Sequence, residues 1–292
     1  MIITELSGGL GNQMFQYATG RVLSIKNNSP LILDTRSYES RVKGDTVRQY
    51  ELSSFPIAAS IASQKQINEF FPTKLQKVVA NITGLSLTKS IEIVKENGHD
   101  YDIDLLEKKG NIYLSGFWQT EKYFLDYSSV IKADFTFTNR LRSNIYSLAN
   151  QIKHTNSVSV HIRRGDYVSN ANANKFHGLM PVSYYLRAIN KISKMISDPV
   201  FFIFSDDPVW VKANIDFGEN SYFVSGKTTK NNKEDLYLMS LCQHHIIANS
   251  SFSWWGAWLG NHNGNVTIAP KNWFAEKSVD TSNILPSRWI KI

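Results

Sequence analysis

The feature that most constrains this chain is an alternation of short apolar and helical segments through its second half. Val158 to Arg163, Val200 to Phe204, Tyr222 to Val224, His245 to Ala248 and Val266 to Ala269 each read as a strand. Helical patterns fall between them, near Pro181 to Ile196, Pro208 to Asn214, Lys233 to Gln243 and Phe252 to Leu259. Strands separated by helices are joined by crossovers. That sets them parallel and buries both faces of the sheet. The spacing predicts a doubly wound α/β sheet.

The first half opens the same way. A strand from Ile2 to Leu6 runs into a glycine-rich turn, Ser7-Gly8-Gly9-Leu10-Gly11-Asn12. A helix from about Gln13 to Lys26 follows, with Met14, Ala18, Val22 and Ile25 at helical spacing. Pro30 ends it, and Leu31 to Leu33 reads as a second strand stopping at Asp34. Another strand spans Asn111 to Ser115, before Gly116-Phe117-Trp118-Gln119. Residues 36–100 mix helical patches with polar turns and give no firm assignment. The polar run Ser169 to Asn174 reads as a loop. A length of 292 residues suits two modest domains. The expected division is a Rossmann-like unit over 1–150 and another over 151–292, with the junction in the polar stretch 136–155.

Composition removes whole classes. Apolar residues are 42% and charged residues 20%, which fits a globular protein and excludes disorder. The single cysteine, Cys242, excludes a disulfide framework and a multi-cysteine zinc site. Adjacent His244 and His245 cannot share a helix face, so they make a poor metal site. The start, MIITELSGGLGNQ, has neither the basic nor the apolar region of a signal peptide. No run of about 18 apolar residues could form a spanning helix. The net charge of 32 − 25 = +7 suits an anionic small molecule, a membrane surface or nucleic acid. Dispersed basic residues, with no stripe of interleaved aromatics, make nucleic acid the weakest of these.

Ligands of open α/β sheets sit beyond the carboxyl ends of the strands, so the residues there carry the functional reading. Gly9-x-Gly11 with Asp34 partly matches a dinucleotide fingerprint, but Met14 stands where the third glycine belongs. A nicotinamide-dependent oxidoreductase would use those residues and leave the others unexplained. His161-Ile162-Arg163-Arg164-Gly165-Asp166 ends the strand at 158. Its arginines either bind phosphate through their planar forks or form internal pairs with aspartates. After the strand at 200 come Asp206 and Asp207. A carboxylate there can accept from ribose or a guanine edge, and Asp207 before Pro208 also suits a helix N-cap. Asn249-Ser250-Ser251-Phe252-Ser253 opens a helix whose free N–H groups could cradle phosphate. The crowded Trp254, Trp255 and Trp258 suit core packing better than a sugar platform. A non-catalytic carbohydrate-binding protein could use such tryptophans, but needs no phosphate cradle. Asp102-x-Asp104 reads as an acidic first helical turn rather than a metal site.

These blocks together resemble the inverting α-1,2-fucosyltransferases, glycosyltransferase family 11. The resemblance rests on Gly8-Gly9-Leu10-Gly11-Asn12-Gln13-Met14-Phe15-Gln16, Gly116-Phe117-Trp118-Gln119 and His161-Ile162-Arg163-Arg164-Gly165-Asp166-Tyr167. Phe204-Ser205-Asp206-Asp207 and the run from Ile247 to Ala257 complete it in family order. It implies a GT-B architecture, two Rossmann-like domains facing a central cleft. The first would serve mainly the acceptor and the second would bind GDP-L-fucose, ahead of a C-terminal tail. It implies inverting transfer of fucose to the 2-hydroxyl of a terminal galactose. GDP-fucose is then a co-substrate, with no cofactor and no metal.

The same resemblance distributes roles. Arg163 would bind the β-phosphate and stabilise departing GDP. Gly11, Asn12, Ser250, Ser251 and Phe252 would hold the diphosphate. Asp207, ahead of Asp206, would read guanine, and His161 would contact the nucleotide or orient Arg163. Arg164 would contact the donor or pair with Asp166, and Asp166 is the first candidate for general base. Trp118 and Gln119 would meet the acceptor. The first block begins at Gly8, leaving no room for the membrane anchor of eukaryotic relatives. The expectation is a cytoplasmic bacterial enzyme, at most peripheral to the inner membrane, acting on galactose-terminated, including lipid-linked, glycans such as O-antigen.

Overall fold

The computed structural model describes residues 1–39, 47–71, 91–137, 142–276 and 280–292, with side chains except at positions 69, 91, 166, 169 and 171–173. They form two compact units, the first ending at Thr136 and the second resuming at Phe137. This boundary lies at the start of the expected junction, 136–155, and ahead of the division drawn after residue 150. The reason is the amphipathic helix Ser143–Lys153, whose Ile145, Ala149 and Ile152 pack with Phe202 and Phe204 of the second unit.

The first unit carries β1 (Ile2–Glu5), β2 (Leu31–Asp34), β3 (Ser60–Ile61), β4 (Ile91–Lys95) and β5 (Asn111–Ser115). They lie in the order β3-β2-β1-β5-β4, all parallel. The central β1 is flanked on both sides, so Ile2 and Ile3 are fully buried. The first helix, Leu10–Lys26, begins three residues earlier than its apolar spacing predicts. Gly9 is its N-cap, and Leu10, Gly11 and Asn12 form its first turn. Met14, Ala18 and Val22 are buried as their spacing requires, but so are Gln13, Gln16 and Thr19. Strands β3 and β4 lie within the stretch that sequence left unassigned.

The second unit carries β6 (Ser157–Ile162), β7 (Val200–Ser205), β8 (Ser221–Phe223), β9 (His244–Ile246), β10 (Thr267–Ala269) and β11 (Ile290–Lys291). The order is β11-β10-β9-β6-β7-β8, again all parallel. Five of these strands match the alternation read from sequence, and β11 adds an edge. Helices cover both faces. Phe201 and Ile203 pack with Tyr184, Ala188 and Ile192 of helix Val182–Ser193, whereas Phe202 and Phe204 pack with Leu238 and Met239 of helix Asn232–Leu241. Trp254, Trp255 and Trp258 are buried in mutual ring contact, and the Trp254 indole donates to the Ile284 carbonyl.

The polar run expected to be a loop is instead helical, in helices Gly165–Ser169 and Ala171–His177. Tertiary tethers override its composition. The Asn249 amide donates to the carbonyls of His177 and Gly178, and the Ala275 N–H donates to the Phe176 carbonyl.

Candidate active site

In the second unit the expected donor residues gather at the carboxyl ends of β6, β7 and β9, three neighbouring strands. All six residues of β6 are buried, so its polar face meets protein too. Ser159 bonds the Nδ1 of His245. His161, only 5% exposed, packs its ring 5.6 Å from that of Phe252. Burial pushes the His161 pKa down to about 4, against the opposing field of Asp206, so the imidazole is neutral near pH 7. Its Nδ1 is buried without a hydrogen-bond partner among the described residues.

The arginines beyond β6 are each matched to an aspartate beyond β7. Arg163 pairs with Asp206 at 2.8 Å, and its guanidinium lies 5.8 Å from the Tyr167 ring centre. Arg164 pairs with Asp207 at 3.2 Å, and its guanidinium carbon sits over the Trp210 ring, 3.5 Å from the ring centre. Asp206 also accepts from the Arg164 backbone N–H at 2.8 Å. The other Asp207 oxygen caps helix Pro208–Asn214 through the Trp210 N–H. Asp207 thus combines the helix cap read from sequence with a hold on Arg164, and both its oxygens are already engaged. Arg164 pairs with Asp207, where sequence offered Asp166. The Asp166 backbone lies in helix Gly165–Ser169, and its side chain lies outside the description.

Gly165 admits Asp206 to this arrangement. A Cβ at Gly165 would lie 2.5 Å from the Asp206 Oδ2. Beneath the loop, the Ser205 N–H donates to the Ser225 hydroxyl, which donates to Asp235. Burial pushes Asp235 up to about 6, against hydroxyl donors from Thr229 and Ser225. Sequence reading missed this support, because Ser225 and Asp235 carry no local pattern. Beyond β9, helix Ser251–Leu259 begins at Ser250, whose side chain makes no cap. Asn249 is buried, with its amide N–H committed and its Oδ1 unpartnered among the described residues. Ser250, Ser251 and Phe252 are half-buried.

The first unit builds a second cluster. Gly8 takes a left-handed φ of +74°, and a Cβ there would strike the Asn12 amide at 2.5 Å. Buried Gln13 bonds the carbonyls of Gly8 and Gln49 and accepts from the Glu51 N–H. Gln16 accepts from the Ser7 N–H and donates to the Gly116 carbonyl. Gln119 donates to the Asn12 side chain at 2.9 Å, which joins an expected acceptor residue to an expected diphosphate residue. Trp118 departs from expectation. It is 1% exposed and packs edge-on against Tyr123, so its ring presents no face to a sugar. Phe117, 38% exposed, is the outward aromatic of that turn. Asp34 is also occupied internally. Arg36 grips it with two N–H groups and the Tyr113 hydroxyl donates to it, which removes the dinucleotide reading's ribose acid.

Among the described residues no group of three His, Cys, Asp or Glu converges as metal ligands. Asp102 accepts from the Asp104 N–H ahead of a 3-10 turn, Leu105–Glu107. No described helix is long and apolar enough to cross a membrane.

The whole sequence also resembles known proteins. The model of glycosyl transferase family 11 matches residues 1–292. An alpha-1,2-colitosyltransferase of Escherichia coli is 39% identical over 301 aligned residues, covering 100% of this chain and 99% of that protein. The Escherichia coli O-antigen biosynthesis glycosyltransferase WbnK is 31% identical, covering 98% of this chain and 99% of that protein. Human galactoside alpha-(1,2)-fucosyltransferase 1 is 29% identical over 155 residues, covering 50% of this chain and 42% of that protein. With the family match spanning the whole sequence, the chain belongs to glycosyltransferase family 11 and is a glycosyltransferase, with a parallel α/β sheet in each of its two units.

Proposed function

We propose that the chain transfers L-fucose from GDP-L-fucose to the 2-hydroxyl of a terminal galactose, with inversion. The observation that carries this is the pair of arginines beyond β6, each seated on an aspartate, beside the uncapped start of helix Ser251–Leu259. A guanidinium has five N–H donors, so pairing with Asp206 and binding a phosphate are compatible. Arg163 stabilises the charge that grows on GDP as the glycosidic bond breaks. Ser250, Ser251 and the helix N-terminus hold the diphosphate from the β9 side. His161, neutral and with an Nδ1 that has no partner among the described residues, offers a hydrogen bond to the nucleotide.

Asp206 and Asp207 act first as the seats of the arginines, with guanine recognition a further demand on their remaining lone pairs. Asp166 is the base that takes the acceptor proton on the face opposite GDP. In the first unit, Gly11 and Asn12 serve the diphosphate, and the 116–119 turn serves the acceptor through Phe117 and Gln119. The acceptor is a galactose-terminated glycan, including lipid-linked forms, met in the cytoplasm or at the inner membrane surface. No cofactor or metal is assigned beyond the co-substrate.

Incubation with GDP-fucose and a panel of β-galactosides, with linkage analysis of products, tests the reading. An α-1,2-fucosylated galactose is expected, and no fucosylated product would refute it. A second reading, colitose as the transferred sugar, is favoured by the 39% identical colitosyltransferase. Comparing kcat/KM for GDP-fucose and GDP-colitose on one acceptor separates the two.

A further inference from the structure

Glu96 lies one residue beyond β4, next to the turn that follows β5. Its backbone N–H extends the sheet by donating to the Ser115 carbonyl. Its two carboxylate oxygens accept from consecutive N–H groups, Phe117 at 2.6 Å and Trp118 at 2.8 Å. Gly116 leaves room for this grip. A Cβ there would lie 2.3 Å from the Glu96 Cβ and 2.8 Å from its Oε2. The turn needs such a grip, because Trp118 holds a left-handed φ of +57°, costly for a bulky side chain. The next residue, Gln119, reaches the Asn12 side chain.

We propose that Glu96 is a positioning residue for the acceptor: its carboxylate sets the 116–119 turn that presents Phe117 and Gln119. This deepens the reading above and rests on that turn serving the acceptor. A carboxylate suits the task because it accepts at both oxygens and donates at neither. Charge-assisted acceptance from two backbone N–H groups is stronger than a neutral contact. Burial raises the Glu96 pKa, and the two N–H donors oppose that rise, so the charged form is the one the turn stabilises.

Glu96→Gln tests this, since an amide offers one acceptor where two N–H groups need partners. With donor and acceptor varied separately, the acceptor KM is expected to rise about fivefold or more. The GDP-fucose KM should rise by a smaller factor, about twofold at most, through the Gln119 contact with Asn12, and the melting temperature should fall modestly because one backbone N–H loses its acceptor. A purely structural role would lower the amount of active enzyme and its melting temperature without splitting the two KM values. Gly116→Ala provides a second variant that displaces the carboxylate without removing it, and should give the same split. An unchanged acceptor KM in both variants, or equal rises for donor and acceptor, would overturn the proposal while the fucosyltransferase reading stands. Absence of transfer by the wild-type enzyme would overturn the reading and this inference with it.

Discussion

At the scale of single residues, the site is governed by what each side chain already holds. Arg163 and Arg164 are neither idle cations nor sealed ion pairs: each is seated on one aspartate, and Arg164 is also stacked on Trp210. A planar fork fixed in this way presents its other N–H groups at a defined angle, which a lysine cannot reproduce. Arg163→Lys is therefore expected to lower kcat/KM for GDP-fucose by at least about tenfold, or about 1.4 kcal/mol of transition-state stabilisation. Equilibrium GDP binding should weaken less than turnover, because the interaction grows as the leaving group gains charge. Calorimetry beside steady-state kinetics measures both, and wild-type turnover would remove Arg163 from the leaving-group role. The arginines and the Asp207 cap were legible because the chemistry lies in the residue type and in the Asp-Pro order. The Trp118 role was not. An aromatic beside an amide suits a sugar equally well whether buried or exposed, and only the left-handed turn decides that Trp118 points inward and Phe117 outward.

At the scale of elements, the strand ends work because glycine lets neighbouring elements approach. Helix Gly165–Ser169 starts against Asp206, where a methyl group would fall 2.5 Å from the carboxylate. Gly165→Ala must push Asp206 off its contacts with Arg163 and the Arg164 N–H. The expected cost is about 1–3 kcal/mol of stability, typical of overpacking, with a raised GDP-fucose KM. Urea unfolding and donor kinetics measure it. Unchanged values for both would mean that the loop yields without penalty. Strand alternation was readable because buried parallel strands are continuous apolar runs between helices. Short edge strands such as Ser60–Ile61 and Ile290–Lys291 lack the length for any pattern. The first helix started early because a glycine N-cap carries no side-chain signal, and its buried glutamines mask the apolar face. Helix Ala171–His177 was hidden because its anchors, Asn249 and Ala275, are far away in sequence.

At the scale of the whole molecule, buried titratable groups tie stability to pH. His245 is fully buried against Ser159, and burial pushes its pKa down to about 3. The unfolded chain takes up that proton near pH 6.5, whereas the folded chain refuses it until far lower pH. Between those values the unfolded state binds more protons, so stability falls as pH drops. At pH 5 this one group costs about 2 kcal/mol relative to neutral pH. His161, lowered to about 4, acts in the same direction over a narrower window. Asp235 opposes them. Raised to about 6, it is protonated first in the folded state, which gains stability as pH falls through 6 toward 3.8. Total pH dependence mixes these terms, so the informative measurement is a difference between two proteins. Urea unfolding at pH 7 and pH 5 should show a smaller loss in His245→Gln than in wild type, by about 2 kcal/mol. An equal loss in both would mean that His245 is protonated as readily inside the fold as outside it. The same arithmetic bears on the active site. His161 and His245 lie on the same buried face of adjacent strands β6 and β9, with His245 in register with Ser159, so acid that charges them destabilises the sheet that carries the arginines. Loss of transfer below pH 6 should therefore follow unfolding in wild type and shift to lower pH in His245→Gln, as circular dichroism beside an activity profile would record.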